Sequence, residues 1–296
     1  MSKWILEGVS KTFDKTIAVN NISLELEENK IYGLIGRNGA GKTTLLKLLA
    51  NQLEPTRGVI RKGKEALKDN DSLSQEVCLA RETINMLGIR NLSVKKIFQI
   101  ASDVYPYWDN EYCQDLIKLF SLDIGQKHIK LSRGMQTMVG IIIGLASRAP
   151  LTLFDEPYVG LDPVARELFY ESLLTDYEKN KRTIIISSHL MSELENLFER
   201  IIIIDQGSIL LNEEMEAVHE KAKVISGDKA YVEKILKDKK VIYRQEIGRL
   251  ANYTVFDSFT EEELREFKDL NINYSSINLQ KLFINLAKGG NFNGEE

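Results

Sequence analysis

The hydrophobic pattern alternates between strand-like and helix-like segments. Short apolar runs predict strands at Ile5–Val9, Ile22–Leu26 and Ile31–Ile35. After a glycine-rich stretch, leucines at helical spacing predict a helix from Thr44 to Leu49. Further short strands with charged loops are expected at about residues 58–80. The first part of the chain is therefore rich in strands, and one of them runs through a loop into a helix.

The pattern changes at about residue 92 and returns at Leu131. Between residues 92 and 130, apolar positions at helical spacing predict a helical insertion. The later pattern predicts three helices that alternate with three strands. The helices are expected at about Ser132–Arg148, from Pro163 to about Asn180 and at about Met191–Phe198. The strands are expected at Leu151–Phe154, Thr183–Ile186 and Ile201–Asp205. Alternating strands and helices predict a mostly parallel sheet covered on both faces.

Beyond Gly207 the periodicity weakens. Ser208–Leu211 is interpreted as a small hairpin, Lys229–Lys240 as a helix with a solvated basic face, and the tail from Gly289 as disordered. A length of 296 residues agrees with about two domains at ~150 residues each. We expect a first domain at residues 1–220, with a helical subdomain at about 84–148, and a small α+β accessory region at residues 221–296.

Composition and charge exclude several classes of protein. Apolar residues make up 43% and charged residues 28%, which excludes a fibrous repeat, a disordered chain and a disulfide scaffold. A formal charge of −4 gives no bulk attraction to nucleic acid or to an anionic membrane. The two cysteines, Cys78 and Cys113, form no metal-type pair and suit a reducing compartment. The apolar run Met138–Ala146 is far shorter than the ~20 residues of a membrane span, and no signal peptide is visible. We expect a soluble chain that reaches a membrane only through a partner.

The segment Gly36–Thr43 fits the phosphate-loop pattern G-x-x-x-x-G-K-[ST], between an apolar strand and a helix. Its glycines let the backbone bend around a phosphate, and its N–H groups and the helix start attract the negative charge. Lys42 is expected to reach the β- and γ-phosphates, and Thr43, backed by Thr44, to offer a hydroxyl to Mg²⁺. The residues expected to hold the nucleotide here are Gly36, Asn38, Gly39, Ala40, Gly41, Lys42, Thr43 and Thr44.

Two adjacent carboxylates, Asp155 and Glu156, end the strand that begins at Leu151. At the carboxyl end of a parallel strand such groups face the ligand crevice. We expect Asp155 to hold Mg²⁺ through its water shell and Glu156 to polarise the water that attacks the γ-phosphorus. A plain acidic turn at the end of the strand is the alternative interpretation.

With these residues, the chain resembles the ATP-binding subunit of ABC transporters. Leu131–Gln136 is similar to the signature motif of that family, which is usually Leu-Ser-Gly-Gly-Gln. Ser132 and Gly134 match it, whereas Arg133 and Met135 depart from it in a way familiar from bacterial drug and peptide exporters. Ser132 also precedes Asp155 by 23 residues, which is the spacing in the family. The resemblance implies that this helix start binds the γ-phosphate of an ATP held by a second chain.

Other segments follow in the order of the family. Gly160–Asp162 resembles the D-loop, so Asp162 is expected at the nucleotide. Ser187–His189 resembles the switch region, which gives His189 a catalytic contact with the γ-phosphate. Phe13 resembles the aromatic residue that stacks on adenine, with an ordinary strand aromatic as the alternative.

The Q-loop is the weakest match, because no glutamine follows the strand Val77–Ala80. Either Arg81 or Glu82 holds its position. We favour Glu82 as a metal ligand, since a carboxylate can bind Mg²⁺ and a guanidinium cannot.

The resemblance covers about residues 3–212. A fainter likeness to the closing helix of drug-exporter ATPases lies at Asn278–Ile284, with a plain amphipathic helix as the alternative. It implies an α/β P-loop NTPase fold, namely an ABC-ATPase core with an antiparallel β subdomain, a helical subdomain and a small C-terminal α+β appendix. It also implies ATP and Mg²⁺ as cofactors, and a second ATPase subunit and an integral membrane permease as partners, with no nucleic acid. The expected place is the cytoplasmic face of the membrane. There the aromatic segment Val104–Asp109 could meet the permease, with packing inside the helical subdomain as the alternative. The expected function is ATP hydrolysis that powers export of peptides, antibiotics or other toxic compounds.

Other functions fit the sequence less well. A soluble ABC-type ATPase that acts on ribosomes or DNA usually has two cassettes with a basic linker or a long coiled coil, and neither is present. A non-catalytic module that only binds ATP would be expected to lack Glu156 or His189, and both are present. A GTPase is disfavoured because no Asn-Lys-x-Asp motif occurs.

Overall fold

The computed structural model describes residues 3–81, 91–188 and 195–289, with Ile247 described by its backbone only. The predictions for Glu82 and His189, and for the helix start at Met191, lie outside the described residues. By its internal contacts the chain divides into two compact units. The first comprises residues 1–189 and 206–208, and the second comprises residues 190–205 and 209–296.

The first unit contains eight of the described strands and six of the described α-helices. The strands are β1 (Trp4–Phe13), β2 (Thr16–Leu26), β3 (Ile31–Ile35), β4 (Arg57–Lys62), β5 (Glu65–Ala66), β6 (Val77–Arg81), β7 (Leu151–Asp155) and β8 (Thr183–Ser188). The helices are α1 (Lys42–Leu49), α2 (Asp71–Gln75), α3 (Val94–Val104), α4 (Asn110–Leu119), α5 (Arg133–Ala146) and α6 (Pro163–Lys179).

Four strands of this unit lie side by side in the order β3-β8-β7-β6, and all are parallel. Every residue of β3, β7 and β8 is buried, as expected for mostly apolar strands inside a parallel sheet. This confirms the predicted parallel sheet. The register aligns Arg81 with Asp155, and Asp155 with Ser187, at the carboxyl ends of the strands. Chemical groups from three strands and the loop after β3 therefore meet at one edge.

The antiparallel β subdomain has the strand order β2-β1-β4-β5. Its strands β1 and β2, of 10 and 11 residues, are longer than predicted. Register shifts interrupt the pairing after Leu6 and hide the alternation of apolar and polar positions. The prediction also missed α2, a helix capped by the Asn70 side chain, because Leu73 is its only buried residue.

The predicted helical insertion is confirmed by α3 and α4. Val94, Ile97 and Ala101 form the buried face of α3. Ser93 and Asp109 cap the two helices, each accepting a hydrogen bond from a backbone N–H three residues later.

Helix α5 packs closely on the parallel sheet through two glycines. A Cβ at Gly140 would lie 2.5 Å from the carbonyl oxygen of Arg81, and a Cβ at Gly144 would lie 2.5 Å from the ring of Phe154. Only glycine allows this approach of helix to strand, so α5 holds β6 and β7 at a fixed distance.

A buried charge cluster joins the far ends of α5, α6 and β8. Asp176, 3% exposed, forms ion pairs with both Arg148 and Arg182. Arg182 also donates from Nε to the hydroxyl of Thr152 at 3.1 Å, and Arg148 also pairs with Asp109 at 3.0 Å. The cluster fixes the end of the sheet opposite the loop after β3.

Two neighbouring strands follow along the chain, β9 (Arg200–Asp205) and β10 (Ser208–Glu214). All of their residues except Ser208 belong to the second unit. The predicted hairpin within Ser208–Leu211 is wrong, since these residues form one strand. The turn lies earlier, at Gln206 and Gly207, whose positive φ angles of 46° and 78° suit a two-residue connection. Of the predicted helix ending at Phe198, the described part is a 3₁₀ turn at Glu195–Leu197.

The rest of the second unit is an α+β fold, as predicted. Its elements are α7 (Met215–Lys221), β11 (Ala222–Asp228), α8 (Lys229–Ile235), β12 (Val241–Ile247), β13 (Leu250–Phe256), α9 (Glu261–Asp269), β14 (Asn273–Ser276) and α10 (Leu279–Gly289). The sheet is antiparallel with the order β12-β13-β11-β14. The sequence of elements from β11 to β14 is β-α-β-β-α-β, which is a ferredoxin-like arrangement.

Helices cover both faces of this sheet. Tyr253 and Val255 of β13 share a core with Val232 of α8 and Phe267 of α9. The intervening residue Thr254 points to the opposite face, where it bonds the buried amide of Asn285 on α10 at 2.6 Å. Among the described helices of the whole chain, none has the length and apolar character needed to cross a bilayer.

Candidate functional site

The glycine-rich loop between β3 and α1 is bent by two glycines with positive φ, Gly39 at 83° and Gly41 at 106°. A Cβ at Gly41 would lie only 2.3 Å from the carbonyl oxygen of Ala18, so no other residue fits. The N–H of Ala40 donates to the carbonyl of Arg37 at 3.1 Å and closes the loop. The loop thus curves directly into the first turn of α1, as the phosphate-loop interpretation requires.

Lys42 starts α1 and folds back over the loop. It is 5% exposed, and its Nζ donates to the carbonyl of Gly36 at 2.7 Å and lies 3.3 Å from that of Arg37. The same Nζ lies 3.2 Å from Oε1 of Glu156. The loop therefore positions a nearly buried ammonium group beside the acidic residue predicted to act as the base.

Asp155 ends β7 as a buried carboxylate, 7% exposed. The hydroxyl of Thr43 lies 3.1 Å from Oδ1 and 2.9 Å from Oδ2, and the hydroxyl of Ser187 donates to Oδ1 at 2.9 Å. Nε of Arg81 lies 3.2 Å from Oδ2. Two hydroxyls and a guanidinium therefore offset the cost of burying this charge.

Glu156 has a left-handed backbone, with φ of 52°, which is rare for a residue with a side chain. Its N–H donates to the hydroxyl of Ser187 at 2.9 Å. The phenol of Tyr158 donates to Oε2 of Glu156 at 3.2 Å and also lies 3.1 Å from the carbonyl of Ser187. Burial, and then the charge of Glu156, raise the pKa of Tyr158, so the phenol stays protonated and acts as a donor. Tyr158 was not predicted from the sequence; its signal is an aromatic residue two positions after the acid pair.

Lys42, Asp155 and Glu156 line a cleft of about 520 Å³. It brings together the predicted residues Asn38, Gly39, Gly41, Lys42, Thr43, Thr44, Asp155 and Glu156. It is also lined by Ala18, Val159 and three arginines that were not predicted to bind nucleotide, Arg37, Arg81 and Arg133. Four cationic and two anionic side chains give the cleft a positive balance that suits a polyphosphate.

Other predicted residues lie outside the lining of this cleft. Phe13, 42% exposed, ends β1 with Nζ of Lys11 5.3 Å from its ring centre. Ser132 caps α5 and accepts a hydrogen bond from the N–H of Met135 at 3.2 Å, while Asp162 caps α6. Gly134 packs on the D-loop, where a Cβ would lie 2.5 Å from the carbonyl of Gly160. The predicted roles of these residues, namely Ser132 and Gly134 toward an ATP held by a second chain, Asp162 at the nucleotide and Phe13 against adenine, stay predictions.

The donor set fits a hard divalent cation. The carboxylate of Asp155 and the hydroxyl of Thr43 are oxygen donors of the kind that Mg²⁺ prefers, and they already touch each other. Within the described ranges, no group of three or more His, Cys, Asp or Glu side chains could hold a metal alone. A cation here would therefore take its remaining ligands from phosphates and water.

Cys78 and Cys113 are buried free thiols.

Comparison with known proteins agrees with this geometry. Residues 19–159 match the family described as "ABC transporter". The lantibiotic transport ATP-binding protein SrtF of Streptococcus pyogenes is 30% identical over 71% of this chain and 90% of its own length. The bacitracin transport ATP-binding protein BcrA of Enterococcus faecalis is 28% identical over 96% of both chains. The ABC transporter ATP-binding protein YtrB of Bacillus subtilis is 25% identical over 94% of this chain and 96% of its own.

The fold is also that of solved ATP-binding cassettes. A dimeric cassette in a post-hydrolysis state, bound to ADP and Pi, aligns with a TM-score of 0.63 over 72% of this chain and 98% of that chain, at 23% identity. This confirms the predicted ABC-ATPase fold class. The phosphate loop, the acid pair and the matched relatives lead to one conclusion: the chain belongs to the ABC transporter family, as an ATP-binding subunit whose ATPase activity is coupled to transport.

Proposed function

We propose that this protein powers a bacterial exporter of peptides or antibiotics, with Lys42, Thr43, Asp155 and Glu156 as the core of its ATPase site. The observation that carries the proposal is the cleft that these four side chains line, where Lys42 contacts Glu156 and Thr43 contacts Asp155. The cargo class is supported by BcrA and SrtF, which are named for bacitracin and lantibiotic transport.

The cleft suits ATP through its charge and shape. The N–H groups of the loop and the start of α1 face the space where phosphates would lie, and Lys42 adds a positive charge. Nζ of Lys42 lies 3.2 Å from Oε1 of Glu156. When the phosphates enter they attract the ammonium group, so Glu156 loses this partner and gains freedom to accept a proton from water. Phe13 is proposed to stack on adenine from its exposed position.

Asp155 and Thr43 are proposed to hold Mg²⁺, with Glu82 as a further ligand. A bound Mg²⁺ would neutralise phosphate charge and orient the terminal phosphoryl group. Ser187 and Arg81 keep the Asp155 carboxylate in place by their contacts with Oδ1 and Oδ2.

Glu156 is proposed as the general base and His189 as a group that contacts the γ-phosphate. Ser187 holds the N–H of Glu156, and Tyr158 holds one oxygen of its carboxylate. The other oxygen is the one that Lys42 contacts, so it becomes available once the ammonium group turns to the phosphates. The base is thus oriented by its neighbours before water is bound.

A second chain is proposed to complete each site. Ser132, Gly134 and Asp162 start α5 and α6 and lie outside the lining of the cleft on their own chain. Placed across a dimer, the start of α5 would face the γ-phosphate, so ATP would stabilise the closed dimer and hydrolysis would release it. An integral membrane permease at the cytoplasmic face is proposed to convert this cycle into transport. Residues 1–220 are proposed as the ATPase domain and residues 221–296 as an accessory region.

Two substitutions test the proposal. Lys42→Ala should abolish binding of a fluorescent ATP analogue, whereas Lys95→Ala, which removes an exposed lysine on α3, should leave it intact. Glu156→Gln should keep ATP binding, nearly abolish phosphate release and accumulate an ATP-dependent dimer in size-exclusion chromatography. Glu178→Gln, at an exposed position on α6, is the matched control.

The results that would refute the proposal are equally direct. Unchanged ATP binding by Lys42→Ala would reject the phosphate site. Parent-like hydrolysis by Glu156→Gln would reject the general base. Purification of the native complex should yield an integral membrane protein; a ribosome or nucleic acid in its place would favour the alternative function.

A further inference from the structure

We propose that Arg81 is the internal counter-ion of Asp155. Mg²⁺ that enters with ATP must displace the guanidinium of Arg81, so Arg81 sets the metal dependence of nucleotide binding. The inference rests on the proposed function, because it concerns the same cleft. It assigns a role to a residue that the sequence comparison with the family leaves without one.

The contact geometry places the guanidinium where the metal would bind. Nε of Arg81 lies 3.2 Å from Oδ2 of Asp155, and the Asp155 side chain is only 5% exposed. The hydroxyl of Thr43, the other proposed metal ligand, lies 2.9 Å from the same oxygen. Arg81 and the water shell of a metal held by Asp155 and Thr43 would therefore share one carboxylate oxygen.

The backbone of Arg81 is held in place, so only its side chain can yield. Arg81 ends β6 and pairs in register with Asp155 on β7. On the other side Gly140 of α5 approaches so closely that a Cβ there would lie 2.5 Å from the Arg81 carbonyl oxygen. Exchange between guanidinium and metal is therefore a side-chain movement, and the open cleft beside Arg81 has room for it.

Electrostatics make the two cations exclusive. The guanidinium offsets the buried charge of Asp155, to which Thr43 and Ser187 contribute only neutral hydroxyls. A divalent cation on Asp155 would place two further positive charges within a few ångströms of Arg81, and like charges at that distance repel strongly. Arg81 thus opposes the metal, which is the reverse of the role proposed for Glu82.

The experiment compares affinities for a fluorescent ATP analogue in EDTA and in Mg²⁺. For Arg81→Gln the ratio of the dissociation constant in EDTA to that in Mg²⁺ should rise at least about tenfold, because the metal loses its competitor and the metal-free complex loses its counter-ion. Arg81→Lys should stay close to the parent ratio. Arg37→Gln removes the same charge from the lining of the same cleft. It should weaken binding in both media and leave the ratio unchanged.

A ratio for Arg81→Gln that equals the parent value, or falls below it, overturns the inference. A second measurement needs neither nucleotide nor metal: thermal unfolding in EDTA of Arg81→Gln, Asp155→Asn and the double variant. The ion pair predicts that Arg81→Gln lowers Tm in the parent and far less in the Asp155→Asn background. Additive shifts overturn the counter-ion role. A parent protein that binds no nucleotide in either medium would refute the proposed function, while the unfolding cycle still decides the ion pair.

Discussion

Asp176 offers the sharpest test of what holds the parallel sheet to its helices. This carboxylate is 3% exposed and forms ion pairs with Arg148 and Arg182. Replacement by alanine would leave two guanidiniums close together without the anion that they share. Arg182 is itself 5% exposed, so water cannot take the place of the lost partner.

The magnitude follows from the burial of these charges. Nη1 of Arg182 lies 2.7 Å from Oδ2 of Asp176. Burial, and then repulsion from Arg148, lower the pKa of Arg182 to about 10, so the group still carries its charge at neutral pH. Removing one partner of a buried ion pair costs about 3–5 kcal/mol. A domain of this kind has a free energy of unfolding of ~5–15 kcal/mol, so the loss would be a large part of it.

The assay is urea-induced unfolding followed by circular dichroism. Asp176→Ala should lower the free energy of unfolding by about 3–5 kcal/mol. Asp176→Asn, which keeps the side-chain volume and a hydrogen-bond acceptor, serves if the alanine variant does not fold. As a control, Asp115→Ala removes an exposed partner of Lys118 and should change stability by under ~1 kcal/mol. A loss below about 1 kcal/mol for both Asp176 variants would refute the reasoning.

Three further outcomes are expected. Gly41→Ala should abolish ATP-analogue binding, because its Cβ would meet the carbonyl oxygen of Ala18 at 2.3 Å; retained affinity would contradict the loop geometry. Tyr158→Phe should lower the rate of phosphate release with little change in ATP affinity, since it removes the hydrogen bond that orients Glu156, and an unchanged rate would count against this. The pKa of Asp109 is lowered by the backbone N–H of Tyr112 and then by the guanidinium of Arg148. The contribution of Asp109 to stability is therefore present above about pH 4 and is lost as pH falls through its pKa in the folded protein. In urea titrations below that pH, Asp109→Asn should lose less stability on acidification than the parent.

The phosphate site was predictable because each of its two segments follows a local sequence pattern. The loop before Lys42 obeys a local pattern, and the strand before Asp155 is a plain apolar run. The contact of Arg81 with Asp155 was not predictable, because it depends on the register between β6 and β7. The hydrogen bond from Tyr158 depends likewise on a turn whose shape follows from the positive φ of Glu156.

Sequence periodicity also does not predict the strand order of the second unit, because that order depends on which strands pair. Its strands are short, and the pairing of β11 with both β13 and β14 joins segments far apart along the chain. Alternation along β13 assigns Tyr253 and Thr254 to opposite faces, but it does not say which helix covers each face. The α+β class was therefore predicted, whereas the ferredoxin-like order was not.

The left-handed backbone at Glu156 places thermal stability and catalytic activity in opposition. Glycine would relax a conformation that costs any other residue of order 1–3 kcal/mol, yet it would delete the carboxylate proposed to perform the chemistry. A search for more heat-resistant forms of this protein should therefore enrich glycine at position 156 among inactive clones, while selection for growth in the presence of the exported compound should remove it. Opposite outcomes of these two selections at position 156 would show that the turn is kept for catalysis although it lowers thermal stability.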